Sequence, residues 1–183
     1  MDARSYAASE TLKDGTIVTV RAIRPGDAGA ILQAFRGMDR ESVYRRFFSP
    51  KKELSPAELD QLTDVDFSQV VALVITKATE SGEVLIGGGR YATDDSSSGA
   101  AEIAFMTGGN YRGLGIASLI LKHLVLIARE AGVSRFDGEV LAENQPMLAV
   151  FRRSGLPMKL RRDGGTVHVT LSLDSRKEQP YGT

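Results

Sequence analysis

A glycine-rich junction between a strand and a helix most constrains how this chain of 183 residues can fold. Ile103 and Phe105 alternate with their neighbours at the two-residue period of a strand. Apolar residues then recur at helical spacing from Leu114 to Glu130. Around the junction lie four glycines within eight residues: Gly108, Gly109, Gly113 and Gly115. Because a helix start has backbone N–H groups without partners and the positive end of the dipole, the junction predicts a binding site for a phosphate or diphosphate.

Three loop patterns that bind phosphate groups can be compared with this junction. The P-loop pattern G-x-x-x-x-G-K-[ST] is absent, because no Gly-Lys-Ser or Gly-Lys-Thr occurs in the chain. The dinucleotide pattern G-x-G-x-x-G is incomplete, because Ser118 stands where a third glycine should follow Gly113 and Gly115. That pattern also usually opens the first βαβ unit, whereas more than a hundred residues precede Gly113. The pattern [RQ]-x-x-G-x-[GA] is complete from Arg112 to Ala117.

This six-residue stretch resembles the acetyl-CoA loop of the GNAT N-acetyltransferases. A strand precedes it, a long helix follows it, and then come a strand over 135–141 and a helix opened by Asn144. The resemblance implies that loop amides hold the CoA diphosphate, that strand backbone holds pantetheine, and that Asn144 contacts CoA. Two alternatives stay open, a glycine-rich turn entering a core helix and a plain helix cap at Asn144. The cofactor-binding residues predicted in this way are Phe105, Met106, Thr107, Arg112, Gly113, Leu114, Gly115, Ile116, Ala117, Ser118 and Asn144.

The order of predicted elements agrees with the GNAT fold over residues 14–173. A strand over 16–23 precedes two or three helices, three strands, the long helix, a strand, a helix and a final hairpin. This order predicts an α/β domain, more strictly α+β, with a mostly antiparallel mixed sheet of about seven strands flanked by helices. The resemblance implies that strands ending near Met106 and Leu141 splay apart around pantetheine. Residues 1–13 are predicted to be a flexible leader and residues 174–183 a flexible tail.

Composition narrows the class of protein and the partners. Lysines and arginines number 23, as do aspartates and glutamates, so the zero net charge does not suggest nucleic acid as a partner. The chain has no cysteine, which excludes disulfides and a thiol nucleophile, and we expect no metal site. The apolar stretch over 114–128 is interrupted by Lys122 and His123, which indicates a buried helix rather than a membrane span. We expect a cytoplasmic protein that is a monomer or homodimer.

Acetyl transfer to an amine requires a base, because a lysine amine with a pKa of about 10.4 is mostly protonated at neutral pH. Glu102 is the predicted general base. It shares a strand face with Ala104 and Met106, so we expect small or apolar neighbours around it. Ala101-Glu102 also resembles the bacterial protein-lysine acetyltransferases of this family, in which a glutamate on this strand is the base. The alternative is a surface glutamate or an ion pair with Arg90, and Glu139 is the second candidate for the base.

Other polar side chains are expected to matter less. Many GNAT enzymes have a tyrosine in the last helix that protonates the departing thiolate, but Phe151 stands at the matching position here. A thiolate with a pKa near 8.5 leaves with little help. We expect His123 and His168 to be structural rather than catalytic.

The sequence therefore predicts an acetyl-CoA-dependent N-acetyltransferase. The segments SVYRRFF over 42–48 and AEIAF over 101–105 resemble the protein-acetylating branch, which implies a protein lysine as acceptor. Residues 42–48 are either a helix packing its aromatic side chains on the sheet or a wall of the acceptor site. A small-molecule amine acetyltransferase and a catalytically silent CoA-binding regulatory module are the alternatives, and the presence of Glu102 argues against the latter.

Overall fold

The computed structural model describes residues 1–47, 51–94 and 98–174. Its helices are α1 (Ala28–Arg36), α2 (Arg40–Phe47), α3 (Pro56–Thr63), α4 (Ile116–Glu130) and α5 (Gln145–Arg153), with short 3-10 turns at Ala3–Ser5, Pro25–Asp27 and Gly109–Tyr111. Its strands are β1 (Ala7–Thr11), β2 (Ile17–Ala22), β3 (Val70–Thr79), β4 (Gly82–Thr93), β5 (Ala100–Thr107), β6 (Arg135–Leu141), β7 (Met158–Asp163) and β8 (Thr166–Ser172). No helix of the described residues is long and apolar enough to cross a membrane.

One mixed sheet organises the molecule, in the strand order β1-β2-β3-β4-β5-β6-β8-β7. Every neighbouring pair is antiparallel except β5 and β6, which α4 connects as a parallel crossover. The predicted α+β class and mostly antiparallel sheet are confirmed. The sheet has eight strands rather than about seven, because the chain before residue 14 contributes β1.

The prediction of a flexible leader is wrong for residues 7–11, since β1 pairs with β2 along its whole length. Contacts with α4 hold this edge strand. His123 is buried, and burial is the main cause that lowers the pKa of its imidazole. The neutral ring donates from Nε2 to the Glu10 carboxylate, 2.8 Å away, and accepts from the Tyr6 hydroxyl at Nδ1. A five-residue strand has too little periodicity to be found in sequence, and tertiary contacts decide its place.

Helices cover two regions of the sheet and form two cores. Helices α4 and α5 pack on one face, in the larger core that contains Ile120, Leu124 and Phe151. Helices α1 to α3 pack on the other face of the first half of the sheet, around Ile31 and Phe35. The cleft described below opens between β5 and β6.

Helix α4 approaches β4 closely over two glycines of the run 87–89. A Cβ at Gly87 would lie 2.5 Å from Ile116 Cγ2, and one at Gly89 would lie 2.5 Å from Ile120 Cγ2. Real Cβ atoms do not come so close to another carbon, so no larger residue fits without movement of the helix. The sequence predicts either a bulge or a close backbone contact at this run, and the close contact occurs there. A bulge lies just before the run, at Ile86, where the β3–β4 register shifts between Ile75 and Thr76.

We expect Gly89→Ala to lower the free energy of unfolding by about 2 kcal/mol, because the added methyl group overpacks against Ile120 and the Ala104 carbonyl. Chemical denaturation monitored by circular dichroism measures the loss. Gly26→Ala is the matched control, since a Cβ at Gly26 meets nothing within 4 Å. Equal stability of the two variants would contradict the close approach of α4.

Candidate functional site

A cleft opens where β5 and β6 part. These strands pair only from Ala100 to Glu102 on β5 and from Arg135 to Asp137 on β6. Beyond that point β5 continues beside β4 and β6 continues beside β8. The inner backbone edge of 103–107 therefore faces the cleft rather than a neighbouring strand. The cleft has a volume of about 800 Å³, and its walls come from β5, β6, α5 and the start of α4.

The glycine-rich loop forms one end of the cleft. Gly115 is the N-cap of α4 and has a left-handed φ of +92°, which non-glycine residues rarely adopt. The first turn of α4 contains no acidic residue, so its free N–H groups and the positive dipole end face the cleft without a competing carboxylate in that turn. This end of the cleft suits an anionic group such as a diphosphate.

Arg112 of the loop forms an ion pair with Asp39, 2.5 Å away at the start of α2. Both side chains are about half exposed, at 42% and 50% of their side-chain surface. The contact is worth little as stability at such exposure. The contact also links the glycine-rich loop to the start of α2.

Glu102 lies where the two strands part, as the last residue of β5 that pairs with β6. It lines the cleft together with Ala104 and Met106, with which it shares a face of β5. The small or apolar neighbours expected around Glu102 are present in Ala104 and Met106, but the Glu102 side chain is exposed to solvent. No ion pair between Glu102 and Arg90 occurs in the described part of the chain, so the alternative of a salt bridge has no support.

A second group of polar side chains lies on the same face of β6 and β8. Asp137 accepts a hydrogen bond from Thr170 at 2.8 Å and pairs with Arg135 at 2.8 Å. His168 Nε2 lies 3.4 Å from Asp137 and its Nδ1 lies 3.9 Å from Glu139. Burial raises the pKa of the Asp137 carboxyl, but the contacts with Arg135, Thr170 and His168 outweigh it, so the pKa lies below its usual value. Of this group only Glu139 lines the cleft.

Comparisons with known proteins agree with this geometry. The family model described as an acetyltransferase (GNAT) domain matches residues 18–157. This chain belongs to the GNAT acetyltransferase family. It is 32% identical over 170 residues to the acetyltransferase Pat of Mycolicibacterium smegmatis, covering 93% of this chain and 50% of Pat. It is 34% identical over 139 residues to the acetyltransferase PA5475 of Pseudomonas aeruginosa, covering 75% of this chain and 74% of that relative.

Among solved structures, the GNAT domain of PAT from S. lividans superimposes with a TM-score of 0.81 at 32% identity. That match covers 91% of this chain and 96% of the PAT domain. The chain spans about half the length of the mycobacterial Pat that it matches. The resemblance to the GNAT family predicted from the sequence is thus confirmed.

Within this GNAT domain, the structure brings together nearly all the residues predicted to bind the cofactor. Leu114 is the exception, since its side chain packs against the larger core and it does not line the cleft. Asn144 lines the cleft and also caps α5 by accepting a hydrogen bond from Met147 N at 3.3 Å, so the capping alternative is confirmed. The others that line the cleft are Phe105, Met106, Thr107, Arg112, Gly113, Gly115, Ile116, Ala117 and Ser118.

Sequence reasoning missed several residues of the cleft, of which Lys13, Tyr111 and Arg153 have polar side chains. The predicted leader over residues 1–13 includes Lys13, although the turn signal Lys13-Asp14-Gly15 between two short alternating stretches indicates a hairpin. Phe151 lies in the wall, is buried, and meets Phe105 edge to face with ring centroids 6.0 Å apart. His123 is buried beside β1 and His168 lies on the open sheet face, and neither lines the cleft. Within the described residues, no group of three or more His, Asp or Glu is suited to a metal ion.

We expect Gly115→Val to weaken acetyl-CoA binding at least tenfold, because a side chain there would fill the approach to the helix start and disfavour its left-handed backbone. Isothermal titration calorimetry measures the affinity. Gly132→Val is the matched control, since Gly132 has a φ of +80° at the other end of α4 and no neighbour within 4 Å of a Cβ. Similar affinities of the two folded variants would exclude the 112–118 loop as the binding site.

Proposed function

We propose that this protein is an acetyl-CoA-dependent N-acetyltransferase whose acceptor is a protein lysine and whose general base is Glu102. The observation that carries the proposal is one continuous cleft, which runs from the glycine-rich start of α4 to Glu102. Membership of the GNAT family and the named acetyltransferase relatives support it. Location in the cytoplasm and a monomeric or homodimeric state remain predictions from the sequence.

The proposed site divides the cofactor between the two ends of the cleft. Backbone N–H groups at the start of α4 bind the diphosphate of acetyl-CoA, as the Gly115 N-cap allows. The open backbone edge of 103–107 binds pantetheine in place of a neighbouring strand. Asn144 is held in the wall by its own capping hydrogen bond and contacts CoA there.

Glu102 removes a proton from the acceptor ammonium, directly or through one water molecule. The neutral nitrogen then forms a bond with the thioester carbonyl carbon, and the oxyanion that results is stabilised by backbone N–H groups. The C–S bond breaks as the carbonyl re-forms, CoA leaves as a thiolate, and the nitrogen gives its second proton to a water molecule, which leaves a neutral amide. Phe151 has no proton to give, so water protonates the thiolate after it leaves.

We expect Glu102→Gln to lower kcat about 100-fold, with little change in acetyl-CoA affinity, because glutamine keeps the shape and removes the base. Steady-state kinetics and calorimetry measure the two quantities. The loss should shrink at higher pH, where more of the amine is already neutral.

Glu139→Gln is the matched control, since Glu139 is also an exposed carboxylate of the cleft wall. A normal kcat for Glu102→Gln together with a large loss for Glu139→Gln would transfer the role of base to Glu139. A normal kcat in both variants would indicate that neither carboxylate acts in the reaction.

The acceptor is proposed to be a lysine on a folded protein rather than a free small amine. The resemblance to the protein-acetylating branch is one reason. The other is the exposed surface of α2, where Arg40 and the 43% exposed Tyr44 follow Asp39, the residue that pairs with Arg112 of the cleft. Arg45 and Arg46 belong to the same helix. The exposed Arg40 guanidinium would repel a free polyamine, yet it can pair with acidic residues around a lysine on a protein surface.

A small-molecule amine is the second candidate, and one feature of the site is compatible with it. Glu102, Asp137 and Glu139 share a face of β5 and β6, and carboxylates attract any ammonium group. The same carboxylates also suit the ammonium of a protein lysine, so they do not separate the two acceptors. A catalytically silent CoA-binding module would bind acetyl-CoA with no transfer to either acceptor.

The test is a competition for one supply of acetyl-CoA between proteins of a cell lysate and a panel of free amines. We expect mass spectrometry to find lysine acetylation on proteins above the rate of the Glu102→Gln variant, which serves as the control for chemical acetylation. Acetylated polyamines, aminoglycosides or amino acids with no such protein signal would assign the small-molecule function. Turnover of neither class would indicate the silent module.

A further inference from the structure

The turn between β1 and β2 lies against the glycine-rich loop. Its Lys13 N donates to the Leu114 carbonyl at 3.3 Å. The Lys13 side chain extends past Gly115, where a Cβ on that glycine would lie 3.5 Å from Lys13 Cε. Lys13 lines the cleft, and its side chain is exposed. An ammonium group therefore stands on the β1–β2 side of the helix start that suits a diphosphate.

The position of this turn is fixed by the fold rather than by a flexible segment. Leu12, the preceding residue, is only 4% exposed and belongs to the larger core. Its N–H donates to Thr16 O at 2.9 Å and its carbonyl accepts from Gly15 N at 3.0 Å, which closes the turn. Upstream, Glu10 binds both Lys122 and His123 of α4. The backbone of Lys13 is thus attached to the same helix whose start forms the anion site.

Among the residues that the structure describes, three cationic side chains line the cleft, Lys13, Arg112 and Arg153, of which Arg153 lies at the end of α5 and Lys13 lies against the glycine-rich loop. The Arg112 guanidinium is already paired with Asp39. The first turn of α4 supplies backbone N–H groups and no acidic side chain. Lys13, by contrast, makes no ion pair with any carboxylate of the described residues. An ammonium without a carboxylate partner beside a diphosphate site gains a charge-assisted contact when the anion binds.

We propose that Lys13 binds the diphosphate of acetyl-CoA through its ammonium, and that the β1–β2 turn is part of the cofactor site. This inference rests on the proposed function, because it concerns the ligand of the same cleft. The glycine loop motif contains no lysine, so the contact comes from a part of the chain a hundred residues away. Lys13 is a binding residue, and the acetyl group reacts elsewhere in the cleft.

The test compares two acetyl donors that differ in the diphosphate. We expect Lys13→Met to weaken acetyl-CoA binding about tenfold by calorimetry at low ionic strength, because one charge-assisted hydrogen bond is lost. In kinetics, KM for acetyl-CoA should rise with kcat nearly unchanged. S-acetylpantetheine, which has no diphosphate or nucleotide, should be used equally well by the variant and the original protein. Lys13→Arg should retain most of the affinity, and Lys159→Met, an exposed lysine on β7, is the matched control.

Salt provides an independent measurement, since the affinity difference between Lys13→Met and the original protein should narrow in 0.5 M sodium chloride. Unchanged acetyl-CoA affinity in Lys13→Met would overturn the inference. So would an equal loss with both donors, which would indicate a disturbed cleft rather than a missing charge. Failure of the original protein to bind acetyl-CoA would instead overturn the proposed function.

Discussion

The close packing of α4 on β4 is the contact on which the rest of the molecule depends. Ile116, the first residue of α4, lies over Gly87, and Gly87 is the register partner of Thr107 at the end of β5. Because Gly87 has no side chain, the start of α4 can lie beside the end of β5. A side chain at this position would push the helix away, and its free N–H groups would no longer lie at the mouth of the cleft. The site is built on a position where packing allows no side chain.

The cleft itself is a gap in the hydrogen bonding of the sheet. Pairing between β5 and β6 stops at Glu102 and Asp137, while each strand keeps its other neighbour. Backbone groups left without a strand must be satisfied by water or by a ligand, since an unpaired buried polar group is costly. An extended pantetheine-like chain can supply those hydrogen bonds. The same interruption of the sheet therefore explains both the shape of the site and the kind of molecule it accepts.

The charges of the cleft are separated along its length. At the end formed by α4 lie the helix dipole, Arg112 and Lys13, which favour an anion. Near the point where the strands part lie Glu102 and Glu139, which favour a cation. An anionic cofactor and a cationic amine are thus attracted to different ends of one cleft. The Arg112–Asp39 pair also links the glycine-rich loop to the start of α2.

Local patterns in the sequence were sufficient for the glycine junction, the long helix, the final hairpin and Asn144 as a helix cap. Each of these depends on a few neighbouring residues, so dihedral preference and periodicity predict it. The sequence also identified the cleft residues of the loop and of the end of β5, because these two stretches are contiguous in the chain. What it could not supply were β1, Lys13 and the exposure of Glu102. Tyr6 and Glu10 contact His123 and so hold β1, Lys13 contacts a loop a hundred residues away, and Glu102 lies exposed at the last paired position of β5 and β6. Only the tertiary structure decides such features, because they depend on contacts between distant segments that have no periodic signal in the sequence.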